Sequence, residues 1–234
     1  MIAEIPEEHW SEVRQAWPAV LIFGGAVSAF RGRRDDAATL IRRFAEMESS
    51  ADHQERSAFH LGRANLLGFA GDQAHALEAA ELAFAERGTM GITQEYIKQS
   101  FVTAVEAAVE LGDSGKADEL LAVVDALPSG SSPQFLQAHS ARFRAQLAAR
   151  QGDAEEAERR FKRATGLFRE LALIFYLGVT QLEHGEWLIG QERAAEAEPM
   201  LTDAREIFER LEARPWLERA AQATGVRQQA EAVT

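Results

Sequence analysis

The residues of this 234-residue chain that could carry out chemistry are six histidines, scattered serines and a lysine in a glycine-containing turn. No two histidines lie four residues apart and no HExxH motif occurs, so the sequence does not predict a zinc hydrolase. No Gly-x-Ser-x-Gly motif marks a serine nucleophile. The chain has no cysteine, which excludes disulfides and thiolate metal ligands. Because no acid, base, nucleophile and ligand set converges, we expect no catalysis, no metal and no other cofactor.

The turn from Gly112 to Ala117 has some of the residues of a phosphate-binding loop. Its spacing is shorter than that of the GxxxxGK[ST] motif, and no serine or threonine follows Lys116. The sequence before it does not have the pattern of a strand. We therefore interpret this segment as a turn between two helices with a lysine on it.

Small residues recur along the chain at intervals close to forty residues. Five anchor positions, four of them glycine, are spaced by 39, 41, 40 and 40 residues: Gly32, Gly71, Gly112, Gly152 and Glu192. The residue five places after each anchor is always alanine: Ala37, Ala76, Ala117, Ala157 and Ala197. Positions five, nine and twelve after each anchor are small or apolar and lie on one face of a helix. Each repeat is therefore predicted to be a helix, a glycine turn and a second helix.

The glycine turn followed by alanine and then by an apolar or small residue resembles the tetratricopeptide repeat (TPR). The resemblance covers roughly Trp17 to Leu211 and implies an all-α, TPR-like α-solenoid, a right-handed superhelix. Its helix pairs would span about 17–47, 54–86, 93–126, 134–171 and 173–211, with a C-terminal cap at 216–224, in one domain over 1–234. Ile2 to Arg14 is predicted to form a short capping helix over the first unit, with a frayed terminus as the alternative. The period departs from the 34 residues of the standard TPR, and the HEAT repeat, with a period nearer forty, is the alternative architecture.

The last seventy residues have a second resemblance. Segments such as Phe168–Leu171, Gln181–Leu188, Ala204–Leu211 and Ala213–Ala220 look like the C-terminal helical repeats of large bacterial signalling proteins. Those proteins join an ATPase to a cyclase or to a DNA-binding domain. The resemblance implies that this chain is the repeat region alone, either free-standing or part of a larger regulator.

In the TPR arrangement, the first helix of each pair lines a concave groove. Seven polar side chains are predicted to face it: Asn65, Gln99, Glu106, His139, Arg142, Gln146 and Glu186. Such a groove suits an extended peptide or an amphipathic helix, so we expect a non-catalytic protein-interaction scaffold in signalling or transcriptional regulation. The alternatives are that these residues only solvate the inner wall, or that the groove is a sensor for a small ligand that acts on an ATPase, a cyclase or a transcription partner.

The charge of the chain limits its partners. A net charge of −12 argues against direct binding to nucleic acid or to an anionic membrane. Five arginines between positions 31 and 43 could form a modest anion-binding edge, although a charged turn is the simpler interpretation. The apolar stretch from Ala19 to Phe30 is too short to span a bilayer, so we expect a cytoplasmic protein. A homo-oligomer is possible, since the sequence does not determine the oligomeric state.

Overall fold

The computed structural model describes residues 11–128 and 130–232 of the chain. It is 84% helical and has no strand among these residues, which confirms the all-α prediction. In the same part of the chain, no helix is both long enough and apolar enough to cross a membrane. Residues 2–10 of the segment predicted as an N-terminal capping helix lie outside the described residues.

The first helical stretch changes its type along its length. In order, it consists of a 3-10 helix (Ser11–Ala16), α1 (Trp17–Ala19), a π-helix (Val20–Gly24) and α2 (Gly25–Phe30). Helix α3 (Arg34–Arg43) follows, and a 3-10 turn (Ala45–Ser49) continues it. Asp35 and Asp36 lie in the first turn of α3 and Arg42 and Arg43 in its last, which is the favourable arrangement for a helix dipole.

The remaining helices alternate with short turns. They are α4 (His53–Ala70), α5 (Gln73–Ala85), α6 (Arg87–Met90), α7 (Glu95–Glu110), α8 (Ser114–Asp125), α9 (Gln134–Gln151), α10 (Ala154–Glu170), α11 (Ile174–Gly190), α12 (Ala194–Leu211) and α13 (Arg214–Ala232). The short helix α6 lies between the helix pairs predicted at 54–86 and 93–126. Helix α13 extends beyond the predicted C-terminal cap.

A Gly-Asp pair makes three of the turns between paired helices. Gly71, Gly112 and Gly152 adopt φ values of 87°, 74° and 79°, in the region that favours glycine. The aspartate that follows each glycine accepts a hydrogen bond from a backbone N–H in the first turn of the next helix. Glycine thus ends one helix and aspartate begins the next.

The face predicted from the repeat is buried. All five alanines at the fifth position after an anchor are at most 3% exposed. The residues twelve places after the anchors are also buried: Phe44, Ala83, Val124, Ala164 and Ala204. The second helix of each pair therefore packs through the side chains that the pattern selects.

The chain divides into two compact units. The first comprises residues 1–29 and 33–120. One apolar cluster in it gathers Trp17, Leu21, Phe44, Met47 and Phe59 against α4. Large apolar side chains from the first helical stretch and from the segment that follows α3 thus share one core with α4.

The second unit comprises residues 30–32 and 121–234. Its apolar clusters contain Phe168, Leu182, Leu201 and Phe208, with α13 packed against α12 through Trp216, Leu217 and Ala220. Phe30 also belongs to this unit: its ring stacks on Phe175 with 4.3 Å between the centroids and meets Trp216 edge-on at 5.3 Å.

Candidate interaction surfaces

A row of polar side chains connects α4 and α7 in the first unit. The hydroxyl of Thr103 lies 3.0 Å from Oδ1 of Asn65 and 3.1 Å from the carbonyl oxygen of Gln99, and it can donate to either. The amide of Gln99 donates to Oε1 of Glu95 at 2.9 Å. Burial acts to raise the pKa of Glu95, but hydrogen bonds from Lys98 and Gln99 outweigh it and lower that pKa. These side chains are half-buried.

Glu106 lies one turn beyond Thr103 on α7 and is also half-buried. The spacing of three and seven residues places Thr103, Gln99 and Glu106 on one side of the helix. The structure thus groups the three site residues predicted in the first unit, Asn65, Gln99 and Glu106, along the α4–α7 pair.

The second unit contains a buried ion pair between α9 and α11. Nε and Nη2 of Arg142 donate to the two carboxylate oxygens of Glu183 at 2.8 and 2.5 Å. The two side chains are only 2% and 7% exposed. Burial acts to raise the pKa of Glu183, yet the charge and hydrogen bonds of Arg142 prevail and lower it. The pair is a bidentate contact, the strongest geometry that these two groups can form.

Two further predicted residues adjoin this pair. Gln146 contributes a hydrogen bond to Glu183 that helps to keep its pKa low. Glu186, one turn after Glu183, accepts hydrogen bonds from Nε and Nη2 of Arg219 on α13 at 2.8 and 2.5 Å. Both Gln146 and Glu186 are half-buried. A polar network therefore runs from α9 across α11 to α13.

His139 is completely buried, and neither of its ring nitrogens has a hydrogen-bond partner among the residues that the structure describes. Phe135, Phe168 and Tyr176 surround the imidazole, with centroids 4.6, 4.9 and 4.4 Å away. Burial, helped by the charge of Arg142, holds the pKa of His139 well below its ordinary value. In this conformation His139 and Arg142 lie inside the unit, so a partner would reach only Gln146 and Glu186 of the predicted set there.

Glu183, Arg219 and Thr103 were not among the predicted site residues. A signal in the sequence could have found two of them, because contacting residues on successive first helices are separated by about one repeat. Arg142 and Glu183 are 41 residues apart, and Asn65 and Thr103 are 38 apart. A search for complementary polar side chains one period apart would have selected both pairs.

Other polar groups lie beside a shallow depression of about 520 Å³ at the start of α4. Asp52, His53 and Gln54 line one side of it, and Thr89 and Met90 line the other. The Nδ1 atom of His53 lies 2.5 Å from Glu86, which also pairs with Arg56. In the residues that the structure describes, no group of three or more His, Asp or Glu side chains could hold a metal ion.

Comparisons with known proteins do not assign this chain to a family. No family model matches this chain. No curated protein matches it either.

Proposed function

We propose that the chain is a non-catalytic, TPR-like scaffold, a right-handed superhelix of about five helix pairs and a C-terminal cap. In this proposal the first helices line a concave groove, which binds a peptide or a helix of a protein partner. Such a scaffold would serve bacterial signalling or transcriptional regulation, as the resemblance of the last seventy residues suggests.

One observation carries the proposal: half-buried amide side chains occur on three successive first helices. They are Asn65 on α4, Gln99 on α7 and Gln146 on α9. An amide presents both donors and acceptors, so it can bond the backbone of an extended peptide whatever the peptide's side chains are. Half-burial orders these groups and leaves part of each one open to a ligand.

The test begins with a partner identified by photo-crosslinking from residues 65 and 146, with a probe at exposed residue 151 as the background. Calorimetry with the purified partner then compares two triple variants. Asn65→Ala with Gln99→Ala and Gln146→Ala should weaken binding by at least about 10-fold, since each lost hydrogen bond contributes about 0.5–1.5 kcal/mol.

The matched control removes three exposed glutamines, at the end of α9, just after α11 and within α13: Gln151→Ala, Gln191→Ala and Gln222→Ala. Both triple variants leave the net charge unchanged, so a difference between them reports position and not electrostatics. Equal affinity of the two variants for the partner would eliminate the groove from the proposal.

The alternative function is a sensor for a small ligand, and the buried pair of Arg142 and Glu183 favours it. A ligand carboxylate is chemically equivalent to the Glu183 side chain and could compete for Arg142. A carboxylate metabolite would then raise the melting temperature of the wild-type protein. It should not do so in the double variant Arg142→Met with Glu183→Met, which replaces the pair by apolar groups of similar volume.

A further inference from the structure

Helix α10 in the second unit packs against two buried histidines, one on α9 and one on α11. Phe168 of α10 meets the His139 ring of α9 edge-on at 4.9 Å. Phe161, seven residues earlier, stacks on the His184 ring of α11 at 4.9 Å with 11° between the planes. Residues seven apart lie on the same face of a helix, so both imidazoles pack against one apolar face of α10.

Among the described residues, no hydrogen-bond acceptor is placed to receive the N–H that protonation would add to either imidazole. His139 is 0% exposed and both of its ring nitrogens lack hydrogen-bond partners; His184 is 2% exposed and its Nε2 lacks one. A neutral imidazole tolerates an aromatic surrounding because its ring is largely apolar. An imidazolium at His139 would be a buried charge without a hydrogen-bond partner, and one at His184 would bury an unsatisfied Nε2–H, so protonation at either site is unfavourable.

We propose that His139 and His184 form a proton-operated latch, in which protonation of the two imidazoles detaches α10 from α9 and α11. At neutral pH the latch is closed and Phe161 and Phe168 are buried. In acid the latch opens and exposes this apolar face of α10, which changes the surface that the second unit offers to a partner.

The charged group near His139 favours the neutral imidazole, whereas the charged groups near His184 oppose the neutral form only in part. His139 meets Phe168 of α10 and Tyr176 of α11, and the charge of Arg142 on its own helix acts against protonation. Around His184, the charged groups are two carboxylates, which favour protonation, and two cations, which oppose it. They are Glu158 and Lys162 of α10, with Arg193 and Glu196 at the start of α12.

The direction of the pH dependence follows from these surroundings. Burial lowers the pKa of His184 from 6.5 to about 4 and lowers that of His139 well below 6.5. The unfolded chain therefore binds protons that the folded unit rejects, so stability is complete above pH 6.5 and falls as the pH drops below it. A pKa of about 4 in His184 alone corresponds to a loss of about 300-fold in the folding equilibrium once both states are titrated.

The experiment follows imidazole Cε1–Hε1 NMR signals of the full chain between pH 7.5 and 3.5, and its hydrogen exchange between pH 7.5 and 5. We expect two histidines, assigned with His139→Leu and His184→Leu, to titrate well below pH 6.5. Exchange corrected for intrinsic rates should rise in α9, α10 and α11 at pH 5. The double leucine variant should lose at least half of the pH dependence of the melting temperature, whereas His75→Gln, which removes an exposed imidazole, should keep it.

Two outcomes would overturn the latch. One is titration of His139 and His184 in the folded wild-type protein at or above pH 6.5. The other is an unchanged pH dependence in the double variant. If that variant does not fold, the wild-type titration and the single variant His184→Leu decide the question, and Trp187, 5.8 Å from His184, reports the change by fluorescence.

Discussion

At the scale of single residues, Arg142 and Glu183 form an ion pair in the second unit in which both side chains are buried. Each charge loses its hydration on burial, and the two hydrogen bonds at 2.8 and 2.5 Å repay that loss only while both partners are present. The energetic consequence of a mutation therefore depends on whether it removes one member of the pair or both.

We predict that Glu183→Ala lowers the free energy of unfolding by about 3–5 kcal/mol, because it leaves the Arg142 charge buried without its partner. The double variant Arg142→Met with Glu183→Met should be within about 1–2 kcal/mol of wild type, or more stable. Urea unfolding monitored by circular dichroism measures both. If the double variant is as unstable as the single variant, the prediction is wrong, because the pair then adds stability that two apolar side chains of similar volume do not replace.

Glu192 occupies the repeat position at which four other repeats have glycine, and it adopts the left-handed conformation with φ of 59°. A residue with a Cβ atom is strained by about 1–2 kcal/mol in this backbone conformation. This strain exceeds the free energy lost through the larger backbone entropy of glycine in the unfolded chain. We predict that Glu192→Gly raises the free energy of unfolding by about 0.5–1 kcal/mol. Gly152→Ala, at the equivalent turn with φ of 79°, should lower it by about 1 kcal/mol. Equal shifts of the same sign in chemical denaturation would contradict this account.

At the scale of elements, α11 and α12 pack closely because α11 carries two glycines on the side that faces α12. A Cβ atom on Gly185 would lie 2.7 Å from Cδ2 of Leu201, and one on Gly178 would lie 2.9 Å from Cγ2 of Ile207. These distances are shorter than van der Waals contact, so a methyl group would force the helices or the facing side chains apart.

Gly185→Ala is accordingly predicted to destabilise the protein by about 1–3 kcal/mol. Gly166→Ala is the matched control: Gly166 lies inside α10, and no atom comes within 4 Å of its added Cβ. That control should stabilise the protein by up to about 1 kcal/mol, since alanine is the better helix former. Thermal unfolding of the two variants in parallel measures both effects, and a stabilising Gly185→Ala would refute the close packing of α11 on α12.

At the scale of the whole molecule, the negative charge is unevenly distributed. Residues 1–29 and 33–120 contain 20 acidic and 10 basic side chains, a net charge of −10. The remainder contains 17 acidic and 15 basic side chains, a net charge of −2. The first unit therefore repels polyanions more strongly, and it would attract a basic partner.

We predict that the full chain does not retard duplex DNA in a gel-shift assay at about 150 mM salt, because the repulsion outweighs any local cation cluster. If the chain does bind DNA, we expect the arginines between positions 31 and 43 to contact it. If retardation occurs, the variant Arg33→Glu with Arg34→Glu and Arg42→Glu decides whether these side chains cause it. A shift that this variant abolishes would contradict the prediction from net charge.

The sequence by itself determined the helical class and the faces that the helices bury. The alanines after each anchor predicted the buried stripe because a repeat of 3.6 residues per turn is a local property. The Gly-Asp turns at 71, 112 and 152 are equally local, since each depends on one backbone angle and one capping side chain. Even at the fifth repeat, where glutamate replaces glycine, the backbone adopts the same left-handed turn.

Only the tertiary structure decided which polar side chains are buried and with what partners. Arg142 and His139 were predicted to face a groove, and both lie inside the second unit, one paired with Glu183 and the other enclosed by aromatic rings. Likewise, nothing in the repeat pattern indicated that Phe30 stacks on Phe175. The physical reason is that periodicity assigns a residue to a face of its own helix, whereas burial and pairing depend on how distant segments meet that face.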